Sequence, residues 1–399
     1  MLRDTQRVTR RRLVLFGATA IASATALAAL SACSSPPAAS PTTAPAAAAP
    51  TSPAAPTAAP AAPTAAPTSA PQATAAPAAT VAPAATAAPA KASVSFTAYG
   101  VIDPQISSQL LIGVKKGFFL EQGLQVDYKL IQSGADIGPL IAGGTAPLSF
   151  ESNITVIDTA ANGVPVHIIT PSANIAGTQG SVLRKGLTLK TAKDLEGMKV
   201  GMPEGAGVIL AWRNMAKDLG VDLSKIKFIN LQPADSVAAL GKGDIDIMSG
   251  WEPWITKSLA LGGTILFTGK VSNVPGKTGA VDWEDFYSTC QVTPAFTSKY
   301  GDSVVPMLKA LSSATDYINK SRADTVKLLS PELHIPEDQL TQIMGRNLYT
   351  MKVDKLFLKS DDDFAAFQVE QKAIKAAPSP SIYTDWTYLK QVDPTLVAV

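Results

Sequence analysis

The sequence predicts an α/β protein made of two lobes, each a mainly parallel sheet flanked by helices, with a cleft between them. Short apolar runs alternate with helical patterns from about residue 93 onward, and the alternation occurs in two successive sets. After the second set, an apolar strand-like run, "FYSTCQV", returns the chain to the first. Alternating strands and helices are typical of parallel sheets covered by helices, so two such sets predict two lobes.

The first set begins with the strand "VSFTAYG". The next stretch, "QISSQLLIGVKKG", is predicted to be a helix because Ile106, Leu110 and Val114 share one face. "LQVDYKLI" alternates with period two, which is typical of a strand. A glycine pair closes the short helix "ADIGPLIAGG", and the strand "APLSF", the helix "NITVIDTAANG" and the strand "VPVHIIT" follow.

In the second set, the strands "MKVGMP", "IKFINL", "DIDIMSG" and "TILFTG" alternate with the helices "GVILAWRNMAKDLG", "DSVAALGKG" and "EPWITKSLALGG". The chain after "FYSTCQV" is predicted to be mostly helical, and its last stretch is expected to wrap back over the first lobe. We expect the chain to cross between lobes near residues 180–184 and 287–292. Lobe 1 would then comprise residues 93–180 plus 291–399, and lobe 2 residues 181–290.

The N-terminal 33 residues have the pattern of an export signal. Three arginines precede an apolar stretch that ends in "LSAC", which resembles a bacterial lipobox and predicts lipidation of Cys33. The alternative is a retained membrane span over residues 13–32, which is long enough but only weakly hydrophobic. Residues 34–92 form an Ala/Pro/Thr-rich segment whose recurring prolines break helices, and we interpret it as a disordered linker.

Charge and cysteine content narrow the function classes. The chain has 34 basic and 32 acidic side chains, but five arginines and one aspartate lie in the first 32 residues, so the remainder has a formal net charge of −2. No bulk positive field is present to attract nucleic acid. The chain has two cysteines, so acylation of Cys33 would leave no pair for an internal disulfide, and Cys290 is predicted to be a buried apolar residue.

Catalytic and metal-binding motifs are missing from the sequence. It contains neither a GxSxG elbow nor an HExxH zinc motif. The chain has two histidines, of which His167 lies in an apolar strand and His334 is predicted to be on the surface. Three consecutive acids, Asp361 to Asp363, are interpreted as a solvated cap at a helix start. The sequence therefore predicts no catalytic residues, no metal and no cofactor.

Candidate ligand-binding residues come from the ends of the predicted strands, because ligands of open parallel sheets bind beyond the carboxyl ends of the strands. Polar and small side chains collect there, and one indole joins them in "GWEPW". The predicted binding residues are Gln105, Ser133, Gly134, Glu151, Ser152, Asn153, Asn174, Glu204, Gly205, Ala206, Gly207, Trp251 and Glu252.

Two of these stretches have a plain structural alternative. The glycines of "GMPEGAGVIL" leave backbone N–H groups free to contact an anion, or they simply form a strand-to-helix turn. Trp251 is expected to supply an apolar face for a ligand. Glu252 accepts hydrogen bonds from a ligand N–H group or cation, or it merely caps the helix that follows.

Several stretches together resemble the periplasmic binding proteins for nitrate, sulfonate, taurine and thiamine-precursor uptake. These are "LLIGVKKGFFLEQGLQVDYKLIQSG", "KDLEGMKVGMPEGAG" and "INLQPADSVAALGKGDIDIMSGWEPW", in that order. The resemblance runs from about residue 94 to beyond residue 292. It implies the two-lobed periplasmic-binding-protein fold and capture of one small molecule for an ABC permease and ATPase. It also implies that the Trp-Glu-Pro element, here Trp251 to Pro253, lies at the cleft.

The sequence departs from this family at one element. Where the family has Pro-x-Gly-Ser, this chain has Ala206 in place of the serine, and Glu151 and Glu204 add negative charge. An amine-bearing or neutral organic ligand is therefore favoured over sulfonate or nitrate. We expect a monomeric lipoprotein on the outer face of the cytoplasmic membrane that does not bind nucleic acid. The alternatives are a thiamine-precursor-type enzyme on the same fold and a receptor that feeds a sensor kinase.

Overall fold

The computed structural model describes residues 94–399, with the backbone alone for Ala135. The predicted export signal, Cys33 and the predicted linker lie outside the described residues. The strands are β1 (Val94–Val101), β2 (Leu124–Ile131), β3 (Leu148–Ser152), β4 (His167–Asn174), β5 (Gln179–Leu183), β6 (Lys199–Met202), β7 (Lys227–Asn230), β8 (Ile247–Trp251), β9 (Thr264–Thr268), β10 (Val271–Val274), β11 (Lys277–Ala280), β12 (Tyr287–Val292) and β13 (Leu348–Tyr349).

Helices follow most of the strands, as the alternating pattern predicts. They are α1 (Ser108–Lys115), α2 (Phe118–Glu121), α3 (Ile137–Ala142), α4 (Asn153–Ala161), α5 (Ile209–Leu219), α6 (Pro233–Lys242), α7 (Trp254–Ala260), α8 (Pro294–Lys320), α9 (Arg322–Leu333), α10 (Glu337–Gly345), α11 (Lys355–Glu370), α12 (Pro380–Tyr383) and α13 (Thr387–Val392).

Local sequence explains where several of these helices begin and end. Thr293 caps α8 by accepting a hydrogen bond from the backbone of Phe296, and Pro294 occupies the first helical position, where its missing N–H group is not needed. Asp354 caps α11 in the same way. Helix α5 ends at Gly220, whose φ of 69° is in the left-handed region that glycine adopts without strain.

The strands form two sheets, as the two sets of elements predict. The first has the order β13-β4-β12-β3-β1-β2 and the second the order β11-β10-β9-β5-β8-β6-β7. A large apolar core, drawn from residues 96–176 and 286–389 with Leu210, packs against the first sheet. Two smaller cores within residues 182–283 pack against the second. Each sheet therefore has its own core, and the α/β fold class is confirmed.

The pairing within each sheet is mixed rather than mainly parallel. Strand β1 pairs in parallel with β2 and β3, and β6 pairs in parallel with β7 and β8. The returning strand β12 is antiparallel to both β3 and β4, and β5 is antiparallel to both β8 and β9. Strands β5 and β12, which follow the two crossings between sheets, are therefore antiparallel to their neighbours. An apolar run in the sequence does not reveal the direction of a strand.

The sheet membership of β5 and β12 moves the predicted boundaries between lobes. All of Gln179–Leu183 lies in the second sheet and all of Tyr287–Val292 lies in the first. Divisions at residues 180 and 290 would cut through these two strands. We therefore propose that the connections between lobes are residues 175–178 and 281–286.

Candidate functional site

A cavity of about 630 Å³, continuous with solvent, lies between the two sheets and is lined by residues from both. Ten of the predicted binding residues line it: Gln105, Ser133, Gly134, Glu151, Ser152, Glu204, Gly205, Ala206, Gly207 and Trp251. These residues, which follow or end predicted strands, therefore lie together in one place.

Parallel strands explain why these side chains meet. Strands β1 and β3 run in the same direction, so the turn after β1, which contains Asp103 and Gln105, lies near Glu151 at the end of β3. In the second sheet, β6 and β8 are parallel in the same way. They bring the glycine-rich turn at residues 203–207 and Trp251 to the opposite wall.

Two buried carboxyl groups dominate the polar part of the cavity. Asp103 is 3% exposed and Glu151 is 7% exposed. Asp103 accepts hydrogen bonds at Oδ1 from the backbone N–H groups of Gln105 at 2.9 Å and Ile106 at 2.8 Å. Glu151 Oε1 accepts from the Ser152 hydroxyl at 2.9 Å, whereas Glu151 Oε2 is buried without a hydrogen-bond partner. One acceptor therefore remains open for a donor.

Burial shifts the titration of both acids. The pKa of Asp103 is raised to about 7, mainly because loss of hydration disfavours the charged form. The nearby Glu151 carboxylate adds to this shift, and the backbone hydrogen bonds from Ile106 and Gln105 oppose it. Burial likewise raises the pKa of Glu151 to about 7, partly offset by the Ser152 hydrogen bonds. Both groups therefore change charge near neutral pH and respond strongly to a ligand's charge.

The position of the Glu151 carboxyl depends on a glycine opposite it. A Cβ atom at Gly134 would collide with the Glu151 carboxylate oxygens and carbon. A larger residue there would force the acid out of its place. Gly134 thus allows the Glu151 carboxyl to lie directly against the backbone at the start of the turn before α3.

The remaining wall of the cavity is apolar. Trp251 is half-buried at the end of β8, and Phe286 is buried in the connection that precedes β12. The Phe286 ring packs closely against Gly207, where an added Cβ would lie 2.7 Å from a ring carbon. A ligand in this cavity therefore meets carboxyl groups on one side and aromatic rings on another.

Three predicted binding residues do not line the cavity. Asn153 lies behind it and donates hydrogen bonds to the Ser360 hydroxyl at 3.0 Å and to Asp361 Oδ1 at 2.7 Å. Asn174 donates to Asp285 at 2.8 Å. Glu252 is the third. Asn153 and Asn174 are the residues next to strand ends, but their amides are used to join elements of the fold.

Glu252 is completely buried and bound to protein groups. Its Oε1 accepts a hydrogen bond from the Arg346 guanidinium, and its Oε2 accepts one from the backbone N–H of Thr256 at 2.9 Å. The carboxylate thus bonds the first turn of α7 and pairs with a cation at the end of α10. The cap interpretation of this acid fits its geometry, and the ligand-contact interpretation does not.

The acidic run in α11 also differs from the expectation. Helix α11 starts at Lys355, capped by Asp354, so Asp361 lies inside the helix rather than at its start. Asp361 is 1% exposed, and burial raises its pKa to about 7 against the hydrogen bond from Asn153. It is a buried group behind the cavity wall rather than a solvated cap.

Sequence reasoning missed several lining residues. Asp103 follows β1, as the geometry of parallel strands requires, but is not among the predicted site residues. Gln179 is the first residue of β5, and Phe286 lies in the connection before β12. Each lies one residue before a predicted crossing between lobes, so only the crossing points could have identified them. Ile106, Ile154 and Ile175 add apolar surface.

The charge of the cavity is one-sided. Asp103, Glu151 and the exposed Glu204 line it, and none of the described lining residues is Lys, Arg or His. Within residues 94–399, no group of three or more His, Cys, Asp or Glu side chains is arranged to hold a metal ion. The same part of the chain has no helix that is both long and apolar enough to cross a membrane.

Comparison with known proteins identifies the family. The family model described as "NMT1/THI5 like" matches residues 106–321, more than half of the chain. The chain belongs to the NMT1/THI5-like family. The matched residues span both sheets and include every strand from β2 to β12.

Relatives and solved structures agree with this fold. The chain is 23% identical over 271 residues to the taurine-binding periplasmic protein of Escherichia coli (strain K12), covering 65% of this chain and 82% of that protein. The periplasmic aliphatic sulphonate binding protein SsuA from Escherichia coli superposes with a TM-score of 0.60 at 16% identity, over 73% of this chain and 92% of that one. The desulfurization enzyme DSZB superposes with a TM-score of 0.54 at 13% identity, over 75% of this chain and 98% of that one.

Proposed function

We propose that this protein is the solute-binding component of an ABC importer and that its ligand is a small organic molecule bearing an amine. The family membership and the names of the relatives support a solute-binding role. The observation that carries the ligand class is the pair of buried carboxyl groups, Asp103 and Glu151, in a cavity lined by no cationic side chain among the described residues.

Electrostatics favour an amine over the sulfonates that the relatives are named for. A sulfonate keeps its negative charge throughout the physiological pH range. In this cavity it would lie near two acids with no cation to compensate, and an uncompensated buried charge is strongly unfavourable. An ammonium group satisfies the open Glu151 oxygen and removes the repulsion between the acids. The aromatic wall would then contact the ligand's carbon atoms. A neutral ligand with N–H donors is the nearest variant of this proposal.

The full receptor is proposed to be an exported, monomeric lipoprotein held at the outer face of the cytoplasmic membrane through Cys33. The "LSAC" sequence supports lipidation, and the linker at residues 34–92 would let the folded part reach a permease at some distance from the lipid. Delivery to a permease and its ATPase follows from the proposed importer role.

A catalytic role is the second candidate, because the same fold is found in the desulfurization enzyme DSZB. Cys290, the cysteine within the described residues, argues against it. Its side chain is completely buried, and burial raises the pKa of the thiol above its ordinary value, which disfavours the thiolate nucleophile. Neither histidine lines the cavity to act as a base. A receptor that feeds a sensor kinase remains the third candidate.

The pH dependence of binding tests the proposed ligand class. An ammonium ligand binds the ionised acids, so its affinity should fall about tenfold per pH unit below about pH 7 for each acid that must lose a proton. Sulfonate binding would have the opposite trend, because protonation of the acids would relieve repulsion. Isothermal titration of butylamine and methanesulfonate from pH 5.5 to 8.5 measures both.

Two variants and one control define the result. Asp103→Asn and Glu151→Gln should each weaken amine binding at pH 8 by at least tenfold, the effect of losing one charged hydrogen bond. Glu204→Gln removes an acid that lines the same cavity but is exposed, and it should change affinity about twofold. Tight methanesulfonate binding that strengthens at low pH, with no amine binding, would overturn the proposed ligand class.

A further inference from the structure

A second cavity lies next to the first. This outer groove, of about 1260 Å³, shares Ile154, Pro203, Glu204 and Gly205 with the acidic cavity. It lies between the ends of β6 and β7 with α5 on one side and the end of α11 on the other. The shared residues place the outer groove directly beside the cavity that contains the two acids.

The inner wall of the outer groove is apolar. Met202 is 7% exposed and Phe367 is 6% exposed, and the half-buried Ile209, Phe228 and Ile229 complete the surface. The polar side chains Asn230, Gln371 and Lys372 also line it but are exposed. The groove thus offers a buried apolar wall with a polar rim, which suits the carbon skeleton of a ligand rather than a second charged group.

One buried polar atom beside the outer groove has no hydrogen-bond partner in the described part of the protein. Gln368, also in the lining, is 6% exposed, and its side-chain oxygen is buried without a hydrogen-bond partner. Buried amide oxygens are normally bonded because an unmade hydrogen bond is unfavourable. Within the described residues, this atom is a polar group of the groove wall that the protein leaves unpaired.

A contact between lobes lies beside the outer groove. Arg213, one helical turn beyond Ile209 on α5, forms a 2.5 Å ion pair with Glu370 of α11. The Arg213 guanidinium also lies 5.8 Å from the centre of the Phe367 ring, the side chain that forms the groove wall on α11. This contact holds the two walls of the groove together in the structure described.

From the four lining residues that the two cavities share and from the apolar inner wall, we propose that the outer groove holds the apolar tail of the amine ligand. The substrate class is then a primary amine that carries an alkyl or aryl tail, rather than a short amine. This inference rests on the proposed function, because the amine end is placed at Asp103 and Glu151. A hydroxyl or N–H group on the tail would donate to the Gln368 oxygen.

A homologous series of amines tests this inference. Isothermal titration at pH 8 with butylamine, hexylamine, octylamine and phenylethylamine should show affinity rising about three- to fourfold for each methylene that enters the groove. Ala373→Trp should fill the groove from its exposed rim and remove this dependence on chain length, while butylamine binds as before. Ala366→Trp, at an exposed position of α11 outside the lining, is the matched control and should retain the dependence.

The possible results separate the two proposals. If butylamine binds but affinity does not rise with chain length, the outer groove is not a tail site, whereas the amine proposal stands. If both tryptophan variants keep the dependence, the tail lies elsewhere and the inference is overturned. If no amine of any length binds to the wild-type protein, the proposed ligand class and this inference fail together.

Discussion

At the scale of single residues, the buried position of Glu151 lowers the stability of the folded protein but suits the proposed binding of an amine. Burial without a cation raises its pKa from the ordinary 4.5 to about 7. Because the pKa of Glu151 is higher in the folded protein than in the unfolded chain, the folded protein binds the proton more tightly. The free energy of unfolding therefore falls as pH rises from about 4.5 to 7 and stays at this lower value above pH 7. Sites built for a ligand commonly carry such unfavourable groups.

Glu151→Gln should therefore stabilise the ligand-free protein at pH 8. The amide keeps the shape and removes the charge, so we expect a gain of about 1–3 kcal/mol in the free energy of unfolding at pH 8. The gain should be much smaller at pH 5, where the acid is already protonated in the folded protein. Urea unfolding at the two pH values measures this. A variant that is less stable than wild type at pH 8 would contradict the argument.

Glu252 has the opposite role, because its charge is compensated by the protein itself. Removing Arg346 would leave a fully buried carboxylate without its cation, which is strongly destabilising. Because Arg346 is 29% exposed and partly screened, we expect Arg346→Ala to reduce the free energy of unfolding by about 2–4 kcal/mol. A double-mutant cycle measures the interaction energy between the two side chains. It compares thermal and urea unfolding of Arg346→Ala, Glu252→Gln and the double variant.

Ligand affinity separates this structural role from a binding role. Glu252 does not line the cavity, so Glu252→Gln should change butylamine affinity by no more than about twofold, against at least tenfold for Asp103→Asn. If Glu252→Gln loses as much butylamine affinity as Asp103→Asn, Glu252 is a ligand-binding residue. If the losses of unfolding free energy in the two single variants add up to the loss in the double variant, the ion pair contributes little to stability.

At the scale of elements, the sequence predicted most helices and strands but not their pairing. Hydrophobic periodicity depends on which face is buried, so it identified α5, β6 and β8 from local residues alone. It missed β11 because Lys277–Ala280 is exposed on both faces and has no alternation. It also missed β10, whose burial alternates over only four residues. Strand direction was also hidden, since the fully buried β12 would be equally apolar in a parallel arrangement.

The same limit explains which site residues could be found. Residues such as Ser133, Glu151 and Trp251 follow or end a strand, and the geometry of parallel strands alone places them together. The partner of Glu252 could not be found, because Arg346 is 94 positions away along the chain and nothing local marks the pair. Burial of Asn153 and Asp361 against each other is likewise a product of packing between α4 and α11.

At the scale of the whole molecule, the proposed membrane attachment depends on one residue outside the described part of the chain. Cys33→Ala should release the protein from the membrane fraction, because acylation at Cys33 is proposed to be its only anchor. Within residues 94–399, no helix is long and apolar enough to cross a membrane. Fractionation with an immunoblot checks this. Full-length Cys33→Ala retained in membranes would favour a span over residues 13–32 instead.

The topology makes the two lobes unequal in their ability to fold alone. The second sheet uses only strands from residues 179–280, and its two cores lie within residues 182–283. The first sheet places β12 between β3 and β4, so a fragment of residues 94–174 would lack its central strand and much of its core. Two buried strands would then have unpaired edges, which favour aggregation over folding.

We therefore expect a fragment of residues 176–285 to fold and a fragment of residues 94–174 to remain unfolded or aggregate. The first contains Trp212, which is completely buried against Phe228 and Phe267, so its fluorescence should report a cooperative transition in urea. Far-UV circular dichroism gives the corresponding measurement for the second. Adding residues 286–399 to the N-terminal fragment through a short linker should restore β12 and with it a cooperative transition. Cooperative unfolding of residues 94–174 alone would show that β12 is dispensable and that the first lobe is not discontinuous in its folding.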